Sequence, residues 1–204
     1  MSMRETIVGQ FKKPHGYFGR IAGWIMANRR SNRERNYWTV DLLDIQPGDR
    51  VFEIGCGPGI ALEACLARTG NGHVVGLDYS QTMLDQARTR NAEANREGRL
   101  DLQLGSFEDM PITGGSFNKI CSANVVQFFP DRAAAFHKIF SILKPKGVVA
   151  TTYMPRSRNP NRSDALKMAD AVTRNMETAG FTNIRTEELP MNPAQAVCII
   201  GEHP

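Results

Sequence analysis

Val51-Phe52-Glu53-Ile54-Gly55-Cys56-Gly57-Pro58-Gly59, followed by His73-Val74-Val75-Gly76-Leu77-Asp78, is the stretch that decides the fold. Its first four residues are of strand type, rich in β-branched and aromatic side chains. Gly59 to Arg68 then reads as a helix stopped by Thr69-Gly70-Asn71-Gly72, and His73 to Asp78 as a second strand. A glycine turn between a strand and a helix exposes backbone amides at the positive end of a helix dipole and lets a ligand approach the main chain closely. A dinucleotide-binding turn reads G-x-G-x-x-G, whereas here the third glycine arrives one residue early and follows a proline, which weighs against a pyrophosphate ligand. Asp78 closes the second strand 19 residues past Gly59, where an acid hydrogen-bonds the two hydroxyls of a ribose.

Outward from this unit the same alternation continues, the signature of parallel βαβ units in an α/β domain. Ser80 is a candidate N-cap for a helix to about Asn95, and Leu100 to Leu104 is a third strand. Gly114 and Gly115 precede a fourth at Phe117 to Ser122, and Asp131 caps a helix through about Leu143 that Lys144-Pro145-Lys146-Gly147 breaks. Gly147 to Tyr153 is the fifth strand, Arg162 to Ala179 a helix ended by Gly180, and Thr182 to Glu187 and Ala196 to Ile200 are the last two strands. Helices are expected between the first five strands and before the sixth. The last two strands are joined by a short connection, which predicts an antiparallel hairpin at one sheet edge.

Before Gln46 the pattern changes. Tyr17, Phe18, Ile21, Trp24 and Ile25 recur at helical spacing, and a second helix carries Trp38, Leu42 and Ile45. Residues 1–46 are therefore expected to form a helical cover or lid on a core of residues 47–204. The segment is basic: residues 1–40 hold Arg4, Lys12, Lys13, Arg20, Arg29, Arg30, Arg33 and Arg35 against Glu5 and Glu34, so the net +4 of the 204-residue chain is concentrated there. Cys56, Cys65, Cys121 and Cys198 are widely spaced and form no C-x-x-C pair, and no stretch reaches the ~18 apolar residues of a membrane span. A cytoplasmic protein is the expectation.

Four motifs in order carry a family resemblance: Val51 to Gly59; Gly76-Leu77-Asp78-Tyr79-Ser80 with Met83; Gly105-Ser106-Phe107-Glu108-Asp109-Met110-Pro111; and Leu143-Lys144-Pro145-Lys146-Gly147. Residues 50–201 closely resemble class I S-adenosylmethionine-dependent methyltransferases of the ubiquinone-biosynthesis-like (type 11/25) group. The resemblance implies a Rossmann-like, doubly wound seven-stranded sheet in the order 3-2-1-4-5-7-6, with strand 7 antiparallel. It implies that Glu53 and the loop containing Gly55, Cys56, Gly57 and Gly59 surround the methionine part of the cofactor, that Asp78 holds its ribose, and that Tyr79 and Met83 pack against adenine. Ser106 and Phe107 match the position that reads the adenine edge, Ser106 replacing the aspartate common there. A serine hydroxyl still accepts from the exocyclic amine, but a charge-assisted bond is roughly twice as strong. Asn124 is the expected cofactor contact after strand 4, with Gln127, His15 and Tyr17 as weaker substrate candidates.

Each feature alone has a plain structural explanation, since a glycine loop also serves ordinary turns and an acid also suits a helix N-terminus. Their joint spacing weighs against that explanation, and the resemblance implies which cofactor is bound. Arsenite methyltransferases share this core and use thiolates, but here Cys65, Cys121 and Cys198 fall on buried patterns. No H-E-x-x-H or paired-cysteine motif supports a metal site. The N-terminal helices admit three readings: a lid, a peripheral membrane contact, or a nucleic-acid contact that no recognisable motif supports. Methyl transfer needs little beyond alignment of the reactants at ~3–3.5 Å, which accounts for ~7–11 kcal/mol of barrier, so no catalytic residue is singled out. The expected acceptor is a small or amphiphilic metabolite. The alternatives are a lipid methylated at a membrane surface and a noncatalytic S-adenosylmethionine-binding module.

Overall fold

A computed structural model describes residues 30–111 and 114–204. In chain order they form α1 (Arg30–Asp41), β1 (Arg50–Ile54), α2 (Ile60–Thr69), β2 (His73–Asp78), α3 (Gln81–Arg90), α4 (Ala92–Arg96), β3 (Leu100–Leu104) and β4 (Phe117–Ala123). A 3-10 turn (Val126–Phe128), α5 (Arg132–Ile142), β5 (Leu143–Tyr153), α6 (Arg162–Ala179), β6 (Thr182–Leu189) and β7 (Ala196–Glu202) follow. The seven strands make one sheet in the order β3-β2-β1-β4-β5-β7-β6. β1 through β5 pair in parallel, while β7 runs antiparallel to both β5 and β6. The expected sheet, strand order and closing hairpin are all present.

The apolar strands are buried on both faces, as parallel strands covered by crossover helices must be. Because side chains alternate along a strand, Val51, Val74, Cys121, Ala150 and Ile200 face one cluster with Val40 of α1, Leu62 of α2 and Leu84 of α3. Phe52, Val75, Ile120, Val149 and Ile199 face the other, against Phe136 and Ile139 of α5 and Val172 and Met176 of α6. Burying one such large side chain contributes about 1.5–3 kcal/mol, so this double-faced packing holds the carboxyl ends of β1, β2, β4 and β5 in register.

Several local expectations are corrected. The helix after Ser80 is interrupted at Asn91, where ψ is 35°; the Asn91 side chain donates instead to the carbonyls of Gly59 and Ala87. Ser80 occupies the N-cap position but its hydroxyl makes no capping bond, whereas Asp131 does cap, accepting from the Ala134 amide at 3.0 Å. The helix bearing Trp38 ends at Asp41, so Leu42 and Ile45 lie beyond it. Lys144-Pro145-Lys146-Gly147 does not precede β5 but lies within its start, as an irregularity with Lys146 at φ 62° and a register shift against β4. Among the described residues no helix joins β3 to β4. The helix expected on Tyr17, Phe18, Ile21, Trp24 and Ile25 lies outside the described residues.

Candidate functional site

The turn leaving β1 is tied to β2 at two levels. Gly55 and Cys56 both donate their amides to the Leu77 carbonyl, at 2.8 and 2.9 Å, and Gly57 donates to Asp78 Oδ2 at 2.9 Å. Gly55 has φ 70°, and a Cβ there would lie 2.5 Å from Val125 Cγ2; only glycine fits both the conformation and the space. Gly59 (φ 81°) likewise lets α2 begin against α3, where a Cβ would meet the Ala87 backbone at 2.9 Å. Asp78 Oδ1 accepts from the Ser80 amide at 2.9 Å. Each Asp78 oxygen thus holds one main-chain donor and retains a second acceptor site, although the residue is only 7% exposed. Burial raises its carboxyl above the usual aspartate range, and the Ser80 and Gly57 amides pull it back down.

These groups border a cavity of about 330 Å³ at the carboxyl edge of the sheet, within the range of ligand pockets. Gly55, Cys56, Gly57, Asp78, Tyr79, Met83, Ser106, Phe107, Asn124 and Gln127 all line it. Glu53 and Gly59 are not part of the lining. Glu53 is buried on β1 with Oε2 unpartnered, and burial, then the neighbouring Asp78 charge, hold its carboxyl well above the ordinary range against the Leu62 amide. His15 and Tyr17 lie outside the described residues.

Beyond β4 the chain turns at Asn124, whose φ is 59°, a conformation asparagine tolerates better than most residues. Its Oδ1 accepts from the Met154 amide at 2.8 Å, and its buried Nδ2 has no partner. Gln127 Nε2 donates to the Asn124 carbonyl at 2.8 Å, leaving buried Oε1 unpartnered. Ser106 is engaged locally: its hydroxyl donates to Asp109 Oδ2 at 2.7 Å and accepts from the Asp109 amide. Lys138 of α5 fixes this turn from behind, donating to the carbonyls of Phe107, Glu108 and Met110.

The lining also includes Asn32, Arg35 and Asn36 of α1, Phe128 and Arg156; the short basic segment after Tyr153, with Arg156, is one the sequence places on the substrate-facing surface, whereas Asn32, Arg35 and Asn36 are not singled out there as site residues. A signal was present in α1: Asn32, Arg35, Asn36 and Thr39 recur at i, i+3, i+4 and i+7, the spacing of a buried face, and Arg35, Asn36 and Thr39 are indeed buried. The four cysteines are free and buried. Burial pushes the Cys198 thiol up to about 12; burial, then Glu53 and Asp78, raises Cys56, and a hydrogen bond with the Cys65 thiol together with burial raises Cys121. Protonated thiols of this kind are poor arsenic or metal ligands.

Comparison with known proteins identifies the family. Residues 51–147 match the methyltransferase domain family. An uncharacterized methyltransferase of Bacillus subtilis (strain 168), YdaC, is 30% identical over 184 residues, covering 90% of this chain and 98% of its own length. The chain belongs to the S-adenosylmethionine-dependent methyltransferases. Within this family, 24-methylenesterol C-methyltransferase 2 of Oryza sativa subsp. japonica is 28% identical over 82% of this chain, which spans about half (51%) of that relative. A solved S-adenosylmethionine-dependent methyltransferase from Aquifex aeolicus superposes with a TM-score of 0.71 over 91% of this chain and 98% of its own, at 14% identity; that likeness shows the fold. The methyltransferase uses S-adenosylmethionine, and among its described residues no helix is long and apolar enough to cross a membrane.

Proposed function

We propose that this methyltransferase acts on a small or amphiphilic metabolite, with the cofactor held between the glycine turn and Asp78. S-adenosylmethionine supplies an electrophilic methyl group carried on a sulfonium. The residues present suit it. Asp78 has two spare acceptor sites for a ribose diol, and Gly57 has nothing within 4 Å of where a Cβ would sit, so the turn leaves room for a ligand against its backbone. Tyr79 and Met83 pack against adenine, and Phe107 with the Ser106 turn reads its edge. Gly55, Cys56, Gly57 and Asn124 border the methionine part, with Asn124 Nδ2 available as a donor. Glu53 and Gly59 act from behind the turn, Glu53 through the β1 end and Gly59 by seating α2 on α3. Gln127 faces the acceptor.

The observation that carries the small-acceptor reading is the size and cover of the cavity. At about 330 Å³ the cavity has to take the cofactor as well, which leaves space only for a small molecule or the end of a chain, and α1 packs over its rim against α2, β4 and β5. The connection from β5 to α6 covers only residues 154–161, too few for an inserted substrate-binding domain. We read α1 as part of a cover formed by residues 1–46 on a core of 47–204. The test is transfer of label from S-adenosylmethionine into a cell extract by the wild-type protein and by Asp78→Ala, followed by fractionation. Protein-dependent label in the aqueous small-molecule or extracted-lipid fraction is the expected outcome, lost in Asp78→Ala; label in protein or nucleic acid overturns the reading.

A further inference from the structure

We propose that Arg35 and Arg156 form an anion site for the methyl acceptor, so that the substrate carries a carboxylate or phosphate. The proposal rests on the cofactor placement given above. Arg35 is 2% exposed, yet no acidic side chain among the described residues pairs with it. Its Nη1 donates to Met154 Sδ at 3.6 Å, its Nη2 to Asn32 Oδ1, and its Nε has no partner. Burial, then the neighbouring Arg156, lowers the guanidinium to about 9, so it is still a cation at neutral pH. Leaving a buried cation without a counter-charge is costly, and its planar fork matches the oxygens of a carboxylate or phosphate.

Position separates this group from the cofactor end. Asp78 closes β2, the glycine turn follows β1, Asn124 follows β4, and Met154 and Arg156 follow β5. In the order β2-β1-β4-β5, Arg35 and Arg156 therefore stand three strands from the ribose-binding acid, roughly 14 Å at ~4.8 Å per strand. Both still border the same cavity. The cavity is thus acidic at one end and cationic at the other, with Asn124 and Gln127 between.

The test titrates the full chain, saturated with S-adenosylhomocysteine, with hexyl phosphate, hexanoate and hexanol in a calorimeter. The anions bind and hexanol does not. Arg35→Gln and the exposed substitution Arg156→Gln each weaken anion binding roughly tenfold or more while S-adenosylhomocysteine affinity stays within about twofold. Equal binding of hexanol, no anion binding by the wild type, or anion binding indifferent to both substitutions overturns the proposal. So does a loss of S-adenosylhomocysteine affinity of about tenfold in Arg35→Gln with methylthioadenosine, which lacks a carboxylate, unaffected; the anion held is then the cofactor's own. Failure of the wild type to bind S-adenosylhomocysteine overturns the cofactor placement instead, and the same titrations on the cofactor-free chain then decide the anion site by themselves.

Discussion

Replacing Asp78 by alanine tests the ribose contact proposed for it. In the folded protein each carboxylate oxygen accepts one amide, from Gly57 and from Ser80, both at 2.9 Å, so one acceptor site on each oxygen is left for a ribose hydroxyl. A hydrogen bond to a charged group is worth ~1.5–3 kcal/mol, and losing two removes ~3–6 kcal/mol, or roughly 10²–10⁴ in dissociation constant. Titration calorimetry with S-adenosylhomocysteine measures the loss directly. The alanine also frees the Gly57 amide, so the turn itself can relax, and a second ligand is needed to separate the two effects. Wild type binds S-adenosylhomocysteine more tightly than its 2′-deoxy analogue, and Asp78→Ala abolishes that preference if the carboxylate reads the hydroxyl. A loss smaller than about tenfold, or a ribose preference that survives the substitution, refutes the assignment.

Two further substitutions probe the turn and the acid beneath it. Gly55→Ala meets a left-handed penalty of about 1–2 kcal/mol and a Cβ 2.5 Å from Val125 Cγ2, which adds about 1–3 kcal/mol of overpacking; in urea denaturation Val125→Ala recovers only the second part, and strictly additive single and double variants contradict the close approach. Glu53→Gln removes a carboxyl whose folded value lies well above its ordinary 4.5. A raised acid favours folding fully below its unfolded value and loses that contribution as pH rises through the folded one. The stability of Glu53→Gln relative to wild type therefore grows with pH above about 4.5 and levels off once Glu53 ionises in the folded state; a difference that shrinks over that range in pH-dependent urea melts overturns the burial argument.

The sheet was legible because its strands are apolar runs punctuated by glycine and proline, and because the short step from β6 to β7 allows only an antiparallel pair. The position of Asp78 at the end of β2, beside the glycine turn, was legible from its distance to that turn. Other features depended on contacts that no local pattern encodes. Asn91 interrupts its helix because its amide reaches Gly59, 32 residues away. Asp78 rather than the Ser80 hydroxyl serves the start of α3, because the acid is already held at the strand end. Arg35 escaped notice for the opposite reason. The helical reading of this segment rests on Trp38, Leu42 and Ile45, while the residues of α1 at core spacing are polar, and polar side chains are mostly exposed.

The distribution of unpaired polar atoms connects these observations. Among the described residues, the buried side-chain atoms without a partner are Arg35 Nε, Glu53 Oε2, His73 Nδ1, Asn124 Nδ2 and Gln127 Oε1. Each costs about 1–3 kcal/mol relative to a satisfied group, a substantial deficit for a fold of marginal stability. His73 begins β2, at the far end of the sheet. Arg35, Asn124 and Gln127 border the cavity, and Glu53 sits on the strand that feeds its turn. Their neighbours hold them there: Asn124 is tied to Met154, Gln127 to the Asn124 carbonyl, and Arg35 to Met154 and Asn32. The chain therefore fixes one edge of each side chain and leaves the other to a ligand. Strands β1 and β4 are adjacent, and their connections leave to opposite sides of the sheet, so the crevice between their ends is where such edges converge. The fold gains nothing from these atoms alone, and the cofactor and acceptor placement proposed above would complete the bonding of those that border the cavity.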